Sequence, residues 1–144
     1  MLDALAAVLA RECVREERAR DAARVLRTTG GFRWVGLYDV TGREIAVIGW
    51  DGPGPPAHPR FPVGQGLSSA VVASGEPVVV GDVTSDPRYL TTLGSTRSEI
   101  VVPVRIRGVV RGLIDVESEY VDAFSEEDCA LLERCAESLA PLWQ

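Results

Sequence analysis

The stretch SEIVVPVRIRGVVRGLIDVES, residues 98–118, reads as two strands, Ser98–Arg107 and Val109–Ser118, both rich in Val and Ile and folded about Gly108. Side chains on a strand point alternately to its two faces. On the second strand Val110, Gly112, Ile114 and Val116 therefore share an apolar face, and Arg111, Leu113, Asp115 and Glu117 share the other. On the first strand Ser98, Ile100, Val102 and Val104 lie on one face and Glu99 on the other. If helices cover the apolar faces, Glu99, Asp115 and Glu117 all point to the far side of the sheet.

Working outward, the rest of the chain supplies the partners of this hairpin. Leu2 to Arg27 has no proline or glycine and is full of Ala, Leu, Arg and Glu, which predicts helix, either one long helix or two with a bend in the charged run Arg11–Asp21. Thr28-Thr29-Gly30-Gly31 is expected to stop it. Phe32–Asp39 and Glu44–Trp50 read as a hairpin around Val40-Thr41-Gly42-Arg43. Five prolines in Asp51–Pro62 exclude helix and central strand and predict a surface loop. Gly66–Ser74 reads as a short helix stopped by Gly75. Pro77–Val80 reads as a short strand at an edge, and Gly81–Gly94 as a polar loop with a turn at Ser85-Asp86-Pro87. Ser125-Glu126-Glu127-Asp128 resembles a capping box opening a helix with Leu132, Cys135, Ala136, Leu139 and Trp143 on one stripe, its last turn weakened by Pro141. Strands joined by tight turns pair antiparallel, so the fold class is α+β, an antiparallel sheet with the N- and C-terminal helices on one face.

With 144 residues the chain is expected to form one domain, 1–144, large enough to bury a core without staples. Its 46% hydrophobic and 25% charged residues are an ordinary soluble mixture. No apolar run approaches the ~18 residues of a membrane span, and no basic segment precedes the apolar start, so no membrane partner and no secretory signal is expected. The net charge of −6 argues against nucleic acid, which wants a basic stripe. All 15 basic residues are arginine, read as the codon bias of a GC-rich bacterial genome. Cys13, Cys129 and Cys135 are too scattered for a disulfide scaffold, and a reducing cytoplasm is the expected location.

Three carboxylates gathered on one side of a sheet repel one another, and buried without partners they would hold protons or demand a cation. Glu99, Asp115 and Glu117 are thus either solvated at a strand end or part of a pocket for an ammonium, an amidine or a zwitterion. Trp34 and Tyr38 share a face with Gly36 between them, which suggests the floor of a slot, or simply core packing. Gly64-Gln65-Gly66 reads as a glycine-permitted turn into a helix, since the residues that complete a P-loop or a dinucleotide fingerprint are missing. Cys129 and Cys135 face different ways on their helix and act as small hydrophobes. His58 is the only histidine and reads as a solvated loop residue. Neither a metal site nor a catalytic triad can be assembled, and no cofactor is expected.

The run from Gly64 to Gly66, Gly81-Asp82-Val83, Asp86-Pro87-Arg88-Tyr89, Ser98–Val104, Gly112–Asp115 and Phe124–Asp128 resembles the GAF domain, from about residue 21 to the end. Trp34–Tyr38, Ser98–Pro103 and Leu113–Glu117 are similar to the free methionine-(R)-sulfoxide reductases within that superfamily. The resemblance implies a pocket built from Trp34, Tyr38, Glu99, Asp115 and Glu117, the last being Glu where the family prefers Asp. It places His58, Ser68 and Thr92 where that family carries cysteines. A thiolate must attack sulfur and a thiol must resolve the intermediate, and a serine hydroxyl is a poor substitute. The resulting expectation is a sensor domain, catalytically inactive as a sulfoxide reductase, that binds a small amine-bearing, amino-acid-like ligand through these five residues and Ser68 and works as a homodimer. The alternatives are a sulfoxide reductase with unusual residues, and a helix-mediated interaction module with a vestigial pocket.

Overall fold

The computed structural model describes residues 1–144. Six strands form one antiparallel sheet in the order β3-β2-β1-β6-β5-β4: β1 Trp34–Val40, β2 Glu44–Asp51, β3 Arg60–Pro62, β4 Val78–Val80, β5 Ser98–Ile106 and β6 Val109–Ser118. α1 (Leu2–Leu9), α2 (Arg15–Gly30) and α4 (Glu126–Leu139) cover one face, and α3 (Gly66–Ser74) lies on the other. The α+β expectation holds, with β1 and β6 the central pair of the sheet and the hairpin of residues 98–118 within it.

The two faces carry two separate apolar clusters, as strand alternation requires. Val35, Leu37, Ile100, Val102, Val104, Ile114 and Val116 pack under the helices with Ala22, Leu26, Leu132 and Leu139. Trp34, Tyr38, Val101 and Leu113 pack on the opposite side with Leu67 and Val71 of α3. Close approach is secured by glycine. A Cβ on Gly49 would lie 2.5 Å from the backbone nitrogen of Arg20, so α2 rests directly on β2. A Cβ on Gly112 would lie 2.2 Å from the Trp143 indole, which occupies that space and donates from Nε1 to the Tyr38 carbonyl at 3.2 Å.

Several local expectations need correction. Of the two alternatives for the N-terminal segment the structure takes two helices, parted at residues 10–14 where the charged run begins, and the expected stop falls at its end, with Gly30 the last helical residue and Gly31 a left-handed cap. The end of the proline-rich loop is strand: Arg60–Pro62 pairs with Glu44–Ala46, which an edge position permits even for proline. A 3₁₀ turn, Val83–Ser85, interrupts the polar loop, capped by the Asp82 side chain. Val110 packs with the α3-side cluster rather than under the helices, because the β5–β6 register slips between Val104 and Arg105 and reverses the alternation there. Pro141 ends α4 at Leu139, and residues 140–143 continue as a 3₁₀ turn.

The capping box of α4 is complete: Ser125 Oγ accepts from the Asp128 amide and the Asp128 carboxylate accepts from the Ser125 amide. Ser125→Ala is expected to lower stability by about 1 kcal/mol in a urea titration, with no change in the slope. A loss below ~0.3 kcal/mol would mean that tertiary packing alone sets the start of α4.

Candidate functional site

On the α3 side of the sheet the register brings the candidate residues into one neighbourhood. Asp115 sits across from Gly36 on one side and Val101 on the other, and Glu117 sits across from Trp34 and Glu99. A Cβ on Gly36 would fall 2.3 Å from the Trp34 ring and 2.9 Å from the Tyr38 ring. The two rings, 6.5 Å apart between centroids, thus lean over Gly36 and fill the space that the sequence reading left as a slot. Trp34 is fixed from the other side by the proline-rich loop, donating from Nε1 to the Gly54 carbonyl at 3.0 Å.

Next to these rings is a cavity of about 20 Å³, room for about one water molecule. Tyr38, Ser68, Glu99 and Asp115 line it, together with His58 and Thr92. Four of the six expected binding residues therefore meet there. Trp34 and Glu117 lie behind that layer: Trp34 buttresses Tyr38, and Glu117 is wholly buried against Thr96, whose Oγ1 donates to Glu117 Oε1 at 2.7 Å. His58, expected to be a solvated loop residue, is exposed but also forms part of the cavity wall. His58, Ser68 and Thr92, the positions that the resemblance set where the reductases carry cysteines, all line one hollow. The chain's three cysteines do not line it; Cys129 and Cys135 lie on α4 across the sheet, and Cys13 lies between α1 and α2.

Glu99, Asp115 and Glu117 are 4%, 3% and 0% exposed, so the solvated-strand-end reading fails. Oxygens of all three lie within 4.8 Å of one another. No ion pair in the protein includes any of them. Burial, and then repulsion from the neighbouring acids, holds each of the three carboxyls well above the usual carboxylate range. Burial, and then the charges of Asp115, Glu117 and Glu99, likewise raises the Tyr38 hydroxyl. Without protons on the acids, Asp115 Oδ1 and Glu117 Oε2 would have no partner. Protons held by the raised carboxyls would supply one. Such a spacing suits a small hard cation as well.

Sequence reasoning missed Tyr89 and Thr96. The Tyr89 hydroxyl lies 3.4 Å from Glu117 Oε1, and burial raises it above its ordinary range. Both residues reach the acids from the irregular stretch before β5, whose path no local periodicity encodes.

A fold of this kind, with a small hollow between the sheet and a short helix, defines a class. The chain belongs to the GAF domain family, whose model matches residues 14–141. Among individual relatives, it is 36% identical to a type II free methionine-R-sulfoxide reductase from Thermoplasma acidophilum, covering 90% of this chain and 94% of that one with a TM-score of 0.82. It is 33% identical to the free methionine-R-sulfoxide reductase of Neisseria meningitidis, solved in complex with its substrate, covering 99% and 85% with a TM-score of 0.88. Protein YtsP of Bacillus subtilis is 30% identical over 74% of this chain, and the match spans 65% of YtsP. No helix of the chain is long and apolar enough to cross a membrane.

Proposed function

We propose that this GAF domain is a binding module for a small, amine-bearing, amino-acid-like metabolite, held by the acid triad with Tyr38 and Ser68, and that it does not reduce methionine sulfoxide. The observation that carries the reading is the set of three buried, mutually close carboxyls with no cationic partner, two of them on the cavity wall. An ammonium group would supply the missing positive charge and take the hydrogen-bond vacancies of Asp115 and Glu117. The redox reading is disfavoured because hydroxyls and an imidazole stand at the cavity where a thiolate would be needed. Residues 1–144 act in this reading as one domain, in the cytoplasm, and pass the signal on as a homodimer.

A thermal-shift screen of amino acids tests the reading, since a ligand that binds only the folded state must stabilise it. At least one amine-bearing compound is expected to raise the melting temperature, and an empty screen counts against the proposal. Because the empty triad holds protons, an ammonium ligand must displace them. Its affinity is therefore expected to rise with pH from 5 to 8, with proton release visible as a buffer-dependent binding enthalpy. A ligand whose affinity instead falls with pH would be a neutral hydrogen-bond acceptor served by protonated carboxyls, and would overturn the ammonium assignment.

The second reading, sulfoxide reduction, is favoured by the 36% identity to the Thermoplasma enzyme. Incubation with free methionine-(R)-sulfoxide and dithiothreitol is expected to release no methionine. Turnover lost on Ser68→Ala would establish the enzyme instead.

A further inference from the structure

The ligand reading above demands an occupant far larger than one water, so a wall of the cavity has to move. The walls are unequal. Tyr38, Glu99 and Asp115 belong to β1, β5 and β6, each paired on both sides within the sheet. Ser68 belongs to α3, anchored by buried Leu67 and Val71. Leu90, Thr91 and Thr92 belong to neither helix nor strand. The flanking backbone bonds of that stretch, Tyr89 N–H to the Asp86 carbonyl and Thr96 N–H to the Leu93 carbonyl, are short local turns. Thr92 is buried and Leu93 packs against the α3-side cluster, and two polar ties fasten the stretch to the rest of the protein across the cavity. The Ala57 amide, in the proline-rich loop, donates to the Thr92 carbonyl at 2.9 Å. The Tyr89 hydroxyl accepts from the Thr92 amide and lies within reach of both the Leu93 carbonyl and Glu117 Oε1, each at 3.4 Å.

We propose that residues 90–93 are the gate of the pocket, latched by Ala57 and Thr92, and that Tyr89 is the positioning residue that fastens the gate to the acid triad. Segments held by few contacts and solvent-facing hydrogen bonds are the ones that open locally. The Tyr89 hydroxyl carries one proton, for Glu117 or for Leu93.

Amide exchange on the full-length protein without any ligand tests the gate separately from the ligand reading, which the thermal-shift screen tests. The Ala57 amide is expected to exchange more than ~10-fold faster than the paired amides of β5 and β6, relative to intrinsic rates, because it opens locally. Tyr89→Phe is expected to speed exchange at Ala57 about fivefold, the loss of one modest hydrogen bond, and to leave β5 and β6 unchanged. The Trp34 indole N–H, bonded to Gly54, is expected to stay slow and report that the proline-rich loop itself holds still. Three outcomes overturn the proposal: Ala57 exchanging only with the core amides, Tyr89→Phe leaving Ala57 unchanged, or the Trp34 indole exchanging as fast as Ala57. The first and third are read in the unsubstituted protein, so the proposal stays falsifiable even if Tyr89→Phe fails to fold.

Discussion

Replacing Glu99 with Gln and Asp115 with Asn together is expected to raise stability at pH 8 by about 2 kcal/mol while abolishing binding of any amine-bearing ligand. Burying an ionised carboxylate without a cation is costly, and exchanging such groups for neutral ones of similar shape is commonly neutral or stabilising. Both residues are under 5% exposed and neither has a cationic partner. The sign of the pH dependence follows from the same cause. Their folded-state pKa values lie above the unfolded ones. Once the pH exceeds the unfolded carboxylate range, near ~4, the native state holds more protons than the unfolded chain. Stability therefore falls as pH climbs from there through the raised values, opposite to the common behaviour of a salt-bridged acid. The half-buried Asp82 and Asp86, at the protein surface, shift the other way, held down by hydrogen bonds from Thr84 and Arg88. Urea titrations at pH 5 and pH 8 check this: the natural protein should be the less stable at pH 8, and the double variant should flatten the dependence. A natural protein that grows more stable toward pH 8 would refute the charged-triad account.

Gly36→Ala is expected to cost about 3 kcal/mol, the upper part of the range for forcing atoms into a packed core. The added carbon would sit 2.3 Å from the Trp34 ring and 2.9 Å from the Tyr38 ring, and both rings are buried. Neither can step aside freely: Trp34 is tied to Gly54 and Tyr38 is packed edge-on against Phe61. Gly42→Ala serves as the control, since a Cβ there meets nothing within 4 Å. The comparison is made by urea midpoint. A Gly36→Ala loss under 1 kcal/mol would show that the ring pair is loosely held and that Gly36 does not shape the site.

The faces of the central hairpin could be read from sequence because a two-residue period is local information. Glu99, Asp115 and Glu117 fall on the side opposite the long helices for that reason alone, as do Trp34 and Tyr38. Val110 could not, since the register slip beside it in the pairing is a property of two strands together. β3 was hidden by its prolines, which are compatible with an edge but carry no strand signal of their own. His58, Tyr89 and Thr96 reach the acids through long irregular segments, and their approach depends on where those segments close in space. Layering was likewise out of reach: alternation assigns Glu117 a side, but not whether it fronts the cavity or stands behind it.

The outermost strands, β3 and β4, are three residues each, and β3 ends in Pro62. Rows of unsatisfied amides along a long margin invite neighbouring molecules to dock strand to strand and polymerise. Margins this short offer little template, so crowding the protein to high concentration should leave it free of fibrillar, cross-β assemblies.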